Sequence, residues 1–240
     1  MFKRNLANYL TLGNLLCGCL AIHHTLHDDA RTGALLLFAA AIFDLLDGMV
    51  ARLLGANSEM GKQLDSLADV VSFGVSPAFL LMSLSEWYDY HMVHLPMEQY
   101  VHYLALLLPL GAAWRLARFN IEPARQSYFR GLPTPAMGLT VAGVTLECTQ
   151  AEPDGMVQMM LFQPPFFIAF VVGLTLLMVS QLPLLAFKRV QLGLQSDKRM
   201  PTLFLVSAVL LVAFLQASAT LPVLGLYLVA SLLHRKHLIA

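Results

Sequence analysis

Long uncharged runs set the first limit on this chain. Almost no charge occurs within residues 10–26, 33–54 (apart from one aspartate pair), 67–85, 100–118, 133–149, 163–187, 202–216 and 219–233. Several of these run about 17–22 residues, the length of helix that crosses a hydrocarbon layer of ~30 Å. There, each backbone N–H and C=O must be satisfied within the protein, so helices are the expected solution. The reading is an all-α, polytopic integral membrane helical bundle with about eight transmembrane helices. The third can begin earlier, near Gly61, and project into the aqueous layer. Composition agrees: 58% of the 240 residues are hydrophobic and 12% charged, against roughly 25% charged in a soluble domain.

Charge is sorted along the chain. Lys3, Arg4, Arg52, Lys62, Arg115, Arg118, Arg125, Arg130, Lys188, Arg189, Lys198, Arg199, Arg235 and Lys236 fall at the ends or in every second connection. Only Arg31 falls on the other side, with Asp28, Asp29, Glu86, Asp89, Glu98, Glu147, Glu152 and Asp154. Cytoplasmic connections carry the excess of Lys and Arg, so both the N- and C-termini are expected to be cytoplasmic, in the cell's inner (cytoplasmic) membrane. An odd number of helices would spoil this sorting. Net charge is zero, which argues against a nucleic-acid partner.

The chain reads as one membrane-embedded domain, 1–240, without linker or internal repeat. Lys3 and Arg4 lead into a span too long for a cleavable signal, with no small-residue cleavage site. Cys17, Cys19 and Cys148 are odd in number and lie in apolar segments, so they read as reduced packing residues. Trp87, Tyr88, Tyr90, Tyr100, Tyr103 and Trp114 cluster near helix ends, as an interfacial aromatic belt requires. Basic connections at 119–132 and 188–201 suit anionic lipid headgroups. Pro109, Pro165 and Pro183 are expected to kink helices or mark their ends. His23, His24 and His27 read as a solvated helix end, and His91, His94 and His102 as interfacial.

Against this background the stretch FDLLDGMVARLLGANSEMGKQLDSLADVVSFG stands out. Asp44 and Asp47 are three apart and Asp65 and Asp69 four apart, so each pair shares a helix face. Asp44, Asp47, Gly48, Ala51, Arg52 and then Gly55 make one stripe. Gly61, Asp65, Ala68, Asp69 and Ser72 make a matching one. Facing each other, they would form an acid-floored pocket, with Arg52 one to two turns away and suited to a phosphate. Acids in apolar helices are costly and mark function. Four of them together would repel, and a divalent metal is the simplest agent to hold them. An oxygen-only donor set, without His or Cys in the stretch, favours Mg2+ or Mn2+, with Ca2+ an alternative. The bland reading pairs the acids with Arg52 and Lys62, but leaves two uncompensated. An ion or proton pathway is a further reading, since transporters also carry intramembrane acids.

The pattern Asp44-x2-Asp47-Gly48-x2-Ala51-Arg52-x8-Gly61-x3-Asp65-x3-Asp69 resembles the signature of the CDP-alcohol phosphotransferases, with eight positions at fixed spacing. The resemblance covers roughly residues 5 to 140, and residues 160–240 would add further helices. It implies a cytoplasm-facing cavity, two divalent ions, a CDP-linked lipid donor and a homodimer. By the resemblance Asp44 bridges both metals, Asp47 binds one, Asp65 binds both, and Asp69 binds a metal and acts as general base. Gly48, Ala51, Arg52, Ser58 and Gly61 would line the CDP-lipid site, with Asn8 and Thr11 of the first helix near the nucleotide.

TLGNLLCGCLAI (11–22), LDSLADVVSFGVSPA (64–78), RLARFN (115–120) and GLPTPA (131–136) are further similar to the serine-using branch of that family. That implies transfer of the phosphatidyl group from CDP-diacylglycerol to L-serine, with release of CMP. Serine's carboxylate needs a cation; Arg115 and Arg118, with Asn120 assisting, are the candidates, and lipid anchoring is the competing use of those arginines. A sister enzyme acting on glycerol 3-phosphate or inositol phosphate is the alternative within this chemistry. A cation or proton transporter is the alternative outside it, disfavoured because residues 130–240 hold no counterpart to the acids.

Overall fold

Ordering of the chain begins with helix caps. The structure, a computed structural model, describes residues 2–55, 58–92, 98–121, 129–150 and 163–184, with Leu161 and Gly225. Helix α1 (Phe2–Leu26) and helix α2 (Ala30–Leu53) form a hairpin. Asp28 at its tip has φ +62°, a left-handed conformation that Asp tolerates better than most residues. Asp29 caps α2: its carboxylate accepts the Thr32 N–H at 3.1 Å and meets His24 Nδ1 at 3.2 Å. The bonds from Thr32 hold the Asp29 carboxyl below its usual value. The cap is therefore present above the unfolded carboxyl's pKa and is lost as pH falls through the lowered one. At the far end of α2, Gly55 takes φ +58°, the left-handed stop that favours glycine. Gly55 thus ends the helix instead of extending its acid stripe.

Ser58 caps the next helix, accepting the Gly61 N–H at 3.0 Å. Helix α3 (Glu59–Val70), a π-helical turn (Val71–Val75) and helix α4 (Ser76–Met92) continue without a break. The third span therefore starts before residue 67, as the polar residues from Gly61 allowed. In the π turn the Ser76 N–H reaches back five residues to the Val71 carbonyl. A 3-10 segment (Glu98–Leu106) leads into helix α5 (Leu107–Ile121), with Pro109 in its first turn, where a missing N–H costs least. Helix α6 (Thr134–Gln150) and helix α7 (Pro164–Val179) complete the described bundle.

Four of these helical stretches are long and apolar enough to cross a membrane: Asn5–Leu26, Ala30–Leu53, Glu59–Glu86 and Tyr100–Ile121. The chain is thus a helical membrane protein by length and composition. Expected spans 202–216 and 219–233 lie outside the described residues. The span expected over 163–187 is shorter: α7 stops at Val179. Pro164 and Pro165 occupy its first two positions, and Pro183 lies in a strand instead of the helix. That strand, β2 (Pro183–Leu184), pairs antiparallel with β1 (Phe129–Arg130), Phe129 opposite Leu184 and Arg130 opposite Pro183.

The GLPTPA segment (131–136) breaks the backbone sharply before α6. Gly131 has φ +73° and donates to the Leu182 carbonyl at 2.9 Å, while Leu132 donates to the Leu177 carbonyl at 2.9 Å. A Cβ at Gly131 would meet the Met178 carbonyl, and would lie 2.8 Å from the Ser180 carbonyl and 2.9 Å from that of Leu177. Phe73 of the π turn is fully buried, packed against Gly138 of α6. Leu80, Leu108, Met137 and Val141 belong to the same buried core. His102, expected at the interface, is instead buried, its Nε2 3.4 Å from Glu86 Oε1. Tyr100, Tyr103 and Trp114 are exposed, as the belt reading requires.

Helix α1 and the π turn approach each other closely. Gly18 faces Ser72 so tightly that a Cβ there would lie 2.7 Å from the Ser72 Cα. In lipid, where apolar burial drives helices together weakly, such small-residue contacts let packing and hydrogen bonds do so. Gly131→Ala should destabilise the fold by more than about 1 kcal/mol, because it adds both a strained φ and a carbonyl clash. Thermal unfolding in detergent would show it as a lower midpoint; an unchanged midpoint would contradict the turn geometry.

Candidate active site: a carboxylate cluster between three helices

Helices α1, α2 and α3 bring the site together. Asp44 and Asp47 project from α2 and Asp65 from α3. One carboxylate oxygen from each lies within 4.8 Å of the others. The two acidic stripes read from the sequence therefore do face each other. Asp47 is 5% exposed, whereas Asp44 and Asp65 are half-buried. Thr11 of α1 closes the third side. Its hydroxyl lies 2.6 Å from Asp47 Oδ2 and 3.1 Å from the Ala7 carbonyl. One O–H supplies one proton, and the shorter, charge-assisted bond to Asp47 takes it.

Asp69 stands one turn beyond Asp65 and is 6% exposed. It is not one of the three acids that gather within 4.8 Å. Its carboxylate still lies within electrostatic reach of Asp44, Asp65 and Asp47. Asn14 Nδ2 donates to Asp69 Oδ1 at 3.1 Å.

Three anionic groups this close, in a partly buried site, repel strongly unless a cation joins them. All donors are hard oxygens, which fits a Mg2+- or Mn2+-type ion and gives zinc or copper no soft ligand. Asp44, Asp47 and Asp65 would hold such an ion, with Asp69 adjacent.

The other residues expected to contact the CDP-lipid lie on α1, on α2 and at the start of α3. Gly48 lies beside Arg52: a Cβ there would stand 3.7 Å from Arg52 Nη1, and the Arg52 side chain is exposed. Ala51, half-buried, lies on the same α2 face. Gly61 lets α1 approach α3, since a Cβ would lie 3.1 Å from Asn8 Oδ1 and 3.0 Å from Ser58 Oγ. Ser58 itself is exposed and serves as the α3 cap.

The three residues expected to hold serine hydrogen-bond in three directions. Arg115 is 8% exposed and its Nη1 lies 3.4 Å from Thr134 Oγ1 at the start of α6. Arg118 Nη1 lies 3.4 Å from the Val179 carbonyl at the end of α7. Asn120 turns to α3: its Nδ2 donates to Ser66 Oγ at 2.8 Å, and its carbonyl accepts from Lys62 Nζ. Lys62 thus ties α3 to α5 at this point. Arg125 lies outside the described residues.

Sequence reading missed Asn14. A signal was present: Asn8, Thr11, Asn14 and Gly18 recur at steps of three and four along an apolar helix, which puts them on one face. Ser72, the last residue of the second stripe, donates its hydroxyl to the Asn14 carbonyl at 3.0 Å.

A helical membrane protein with a hard-oxygen cation site of this kind suits chemistry on phosphate groups. The chain belongs to the CDP-alcohol phosphatidyltransferase family, whose profile matches residues 4–163, and it is accordingly a transferase of phospholipid biosynthesis. It is 34% identical over 180 residues to the CDP-diacylglycerol–serine O-phosphatidyltransferase of Bacillus subtilis, covering 75% of this chain and 89% of that one. It is 34% identical over 187 residues to the protein of the same name from Mycobacterium leprae, covering 75% of this chain and 57% of that one. It is 33% identical over 143 residues to the archaetidylserine synthase of Methanothermobacter thermautotrophicus, covering 59% of this chain and 58% of that one.

Mn2+ titration of the detergent-solubilised protein should show high-affinity binding that Asp65→Asn abolishes. Thr11→Val, which removes only the bond behind Asp47, should weaken affinity about 10–100-fold. Unaltered Mn2+ affinity in Asp65→Asn would disprove a cation site at this cluster.

Proposed function

We propose that this enzyme transfers the phosphatidyl group of CDP-diacylglycerol to the hydroxyl of L-serine, giving phosphatidylserine and CMP. The observation that carries the reading is the convergence of Asp44, Asp47 and Asp65 within 4.8 Å. Serine as acceptor is supported by the names of the relatives: they differ in the lipid they carry and agree in serine.

In this reading two divalent ions, when bound, neutralise the donor's diphosphate. The protein's own groups do the rest. Asp69 accepts the proton of the serine hydroxyl. The oxygen forms a new bond to the phosphorus that carries diacylglycerol, and the bond from that phosphorus to the CMP oxygen breaks. The electron pair leaves with CMP. Thr11 keeps Asp47 aimed at the cation site. Arg52, exposed beside Gly48, meets the donor's phosphate, while Ala51, Ser58, Gly61 and Asn8 shape the nucleotide side.

Arg115 binds the serine carboxylate, with Arg118 and Asn120 assisting. Burial strengthens the arginine's pull on an anion. Asn120 Oδ1 is buried and has no hydrogen-bond partner among the described residues, so it is an acceptor available to the serine ammonium. A phosphorylated alcohol such as glycerol 3-phosphate would require more cationic ligands than this.

The membrane setting follows the charge map. Eight spans, with both termini and the acid cluster on the cytoplasmic side of the inner membrane, place the reaction where water-soluble serine meets a lipid donor. The whole chain forms one domain, with its catalytic core near residues 5–140, and pairs as a homodimer.

Purified protein supplied with CDP-diacylglycerol, Mn2+ and labelled serine should yield labelled phosphatidylserine and CMP in equal amounts. Asp69→Asn should lower the rate by about 10²-fold or more, the usual range for losing a general base. Arg115→Ala should raise the serine KM far more than the KM for CDP-diacylglycerol. CMP release with glycerol 3-phosphate but not serine would replace the acceptor. Release with neither would overturn the transferase reading.

A further inference from the structure

We propose that Asn14 is a positioning residue for Asp69, fixing one carboxylate oxygen so that the other faces the acceptor hydroxyl. The inference rests on the reading of Asp69 as the general base.

Asn14 lies midway along α1 and is fully buried. Its Nδ2 reaches Asp69 Oδ1 across the helix interface at 3.1 Å. The bond occupies Oδ1, and Oδ2 is the oxygen this reading assigns to the proton. An ionised carboxylate selects the NH2 end of the amide, which accepts nothing and donates only.

The backbone of Asn14 is fixed as well. Its carbonyl accepts the Ser72 hydroxyl at 3.0 Å, and Ser72 is fully buried in the π turn directly after α3. Gly18, one turn further along α1, lets that turn approach closely. Asn14 is thus pinned to the same stretch of chain, residues 69–72, that carries its target. An extra residue in a helical turn re-aims the side chains on either side of it, and such turns recur at functional sites.

Packing alone does not account for an amide here. Asn14 Oδ1 is buried and has no hydrogen-bond partner among the described residues. Leucine would fill a similar volume without stranding an acceptor, and an orphaned buried acceptor is destabilising. Retaining the amide against that cost points to what its other end does.

Asn14→Leu removes the donor at similar volume, Asn14→Asp keeps the shape and replaces the donor with an acceptor, and Asn14→Ser keeps a shorter donor. We expect kcat to fall about 10–100-fold in Asn14→Leu and Asn14→Asp, as when an outer-shell partner is lost. The KM values for CDP-diacylglycerol and serine, and Mn2+ affinity measured by calorimetry, should stay within about threefold, the mark of an interaction used after binding. Asn14→Ser should recover part of the loss. Ser72→Ala, which removes the bond that ties the π turn to the Asn14 carbonyl, should lower kcat in the same pattern and serves where Asn14→Leu does not fold.

A near-wild-type kcat in Asn14→Leu, or in Ser72→Ala if that alone folds, overturns the proposal. So does a kcat loss matched by lost Mn2+ affinity, because Asn14 would then support the metal site or the fold. Wild-type protein releasing CMP with no alcohol would sink the functional reading and this inference with it. An active wild type beside an unimpaired Asn14→Leu would sink this inference alone.

Discussion

Mutual repulsion among carboxylates inside a helical bundle is the constraint on which the rest of this structure depends. Asp44, Asp47 and Asp65 bring oxygens within 4.8 Å of one another, an arrangement that water would relax and a low-dielectric interior would not. Their helices must therefore be held together by something else. Capping by Asp29 and Ser58 sets where α2 and α3 begin. The Lys62–Asn120–Ser66 bonds tie α3 to α5. Helix α1 packs against both α2 and α3, which keeps the acids close, and a hard cation is what would relieve their repulsion.

The first helix is the structural complement to the acids. From one face it supplies Thr11 to Asp47 and Asn14 to Asp69, and it sets Asn8 against Gly61. Each contact goes to a different acid or to the backbone beside one. The hydroxyl and the amide carry no charge, so they orient carboxylates without competing with a cation for them. The π turn completes this arrangement by carrying Ser72 back to the Asn14 carbonyl.

Much of this was legible in the sequence. Fixed spacing between acids of one helix is a local property, so the stripes on α2 and α3 could be read directly. The failures share a physical cause. The end of α7 at Val179 depends on pairing between residues 129–130 and 183–184, a contact more than fifty residues away in sequence. Hydropathy alone extends the helix through it. Asn14 was passed over because one amide in an apolar helix shows its value only when the partner helix is in place. The partners of Arg115 on α6 and of Arg118 on α7 are likewise contacts that spacing along one helix does not name.

The most direct test of the account is electron paramagnetic resonance of the detergent-solubilised protein loaded with Mn2+. Mn2+ held jointly by Asp44 and Asp65 should give a bound-ion spectrum that is lost in Asp44→Asn and equally in Asp65→Asn. A bound-ion spectrum that survives unchanged in both variants would contradict a shared cation site between α2 and α3.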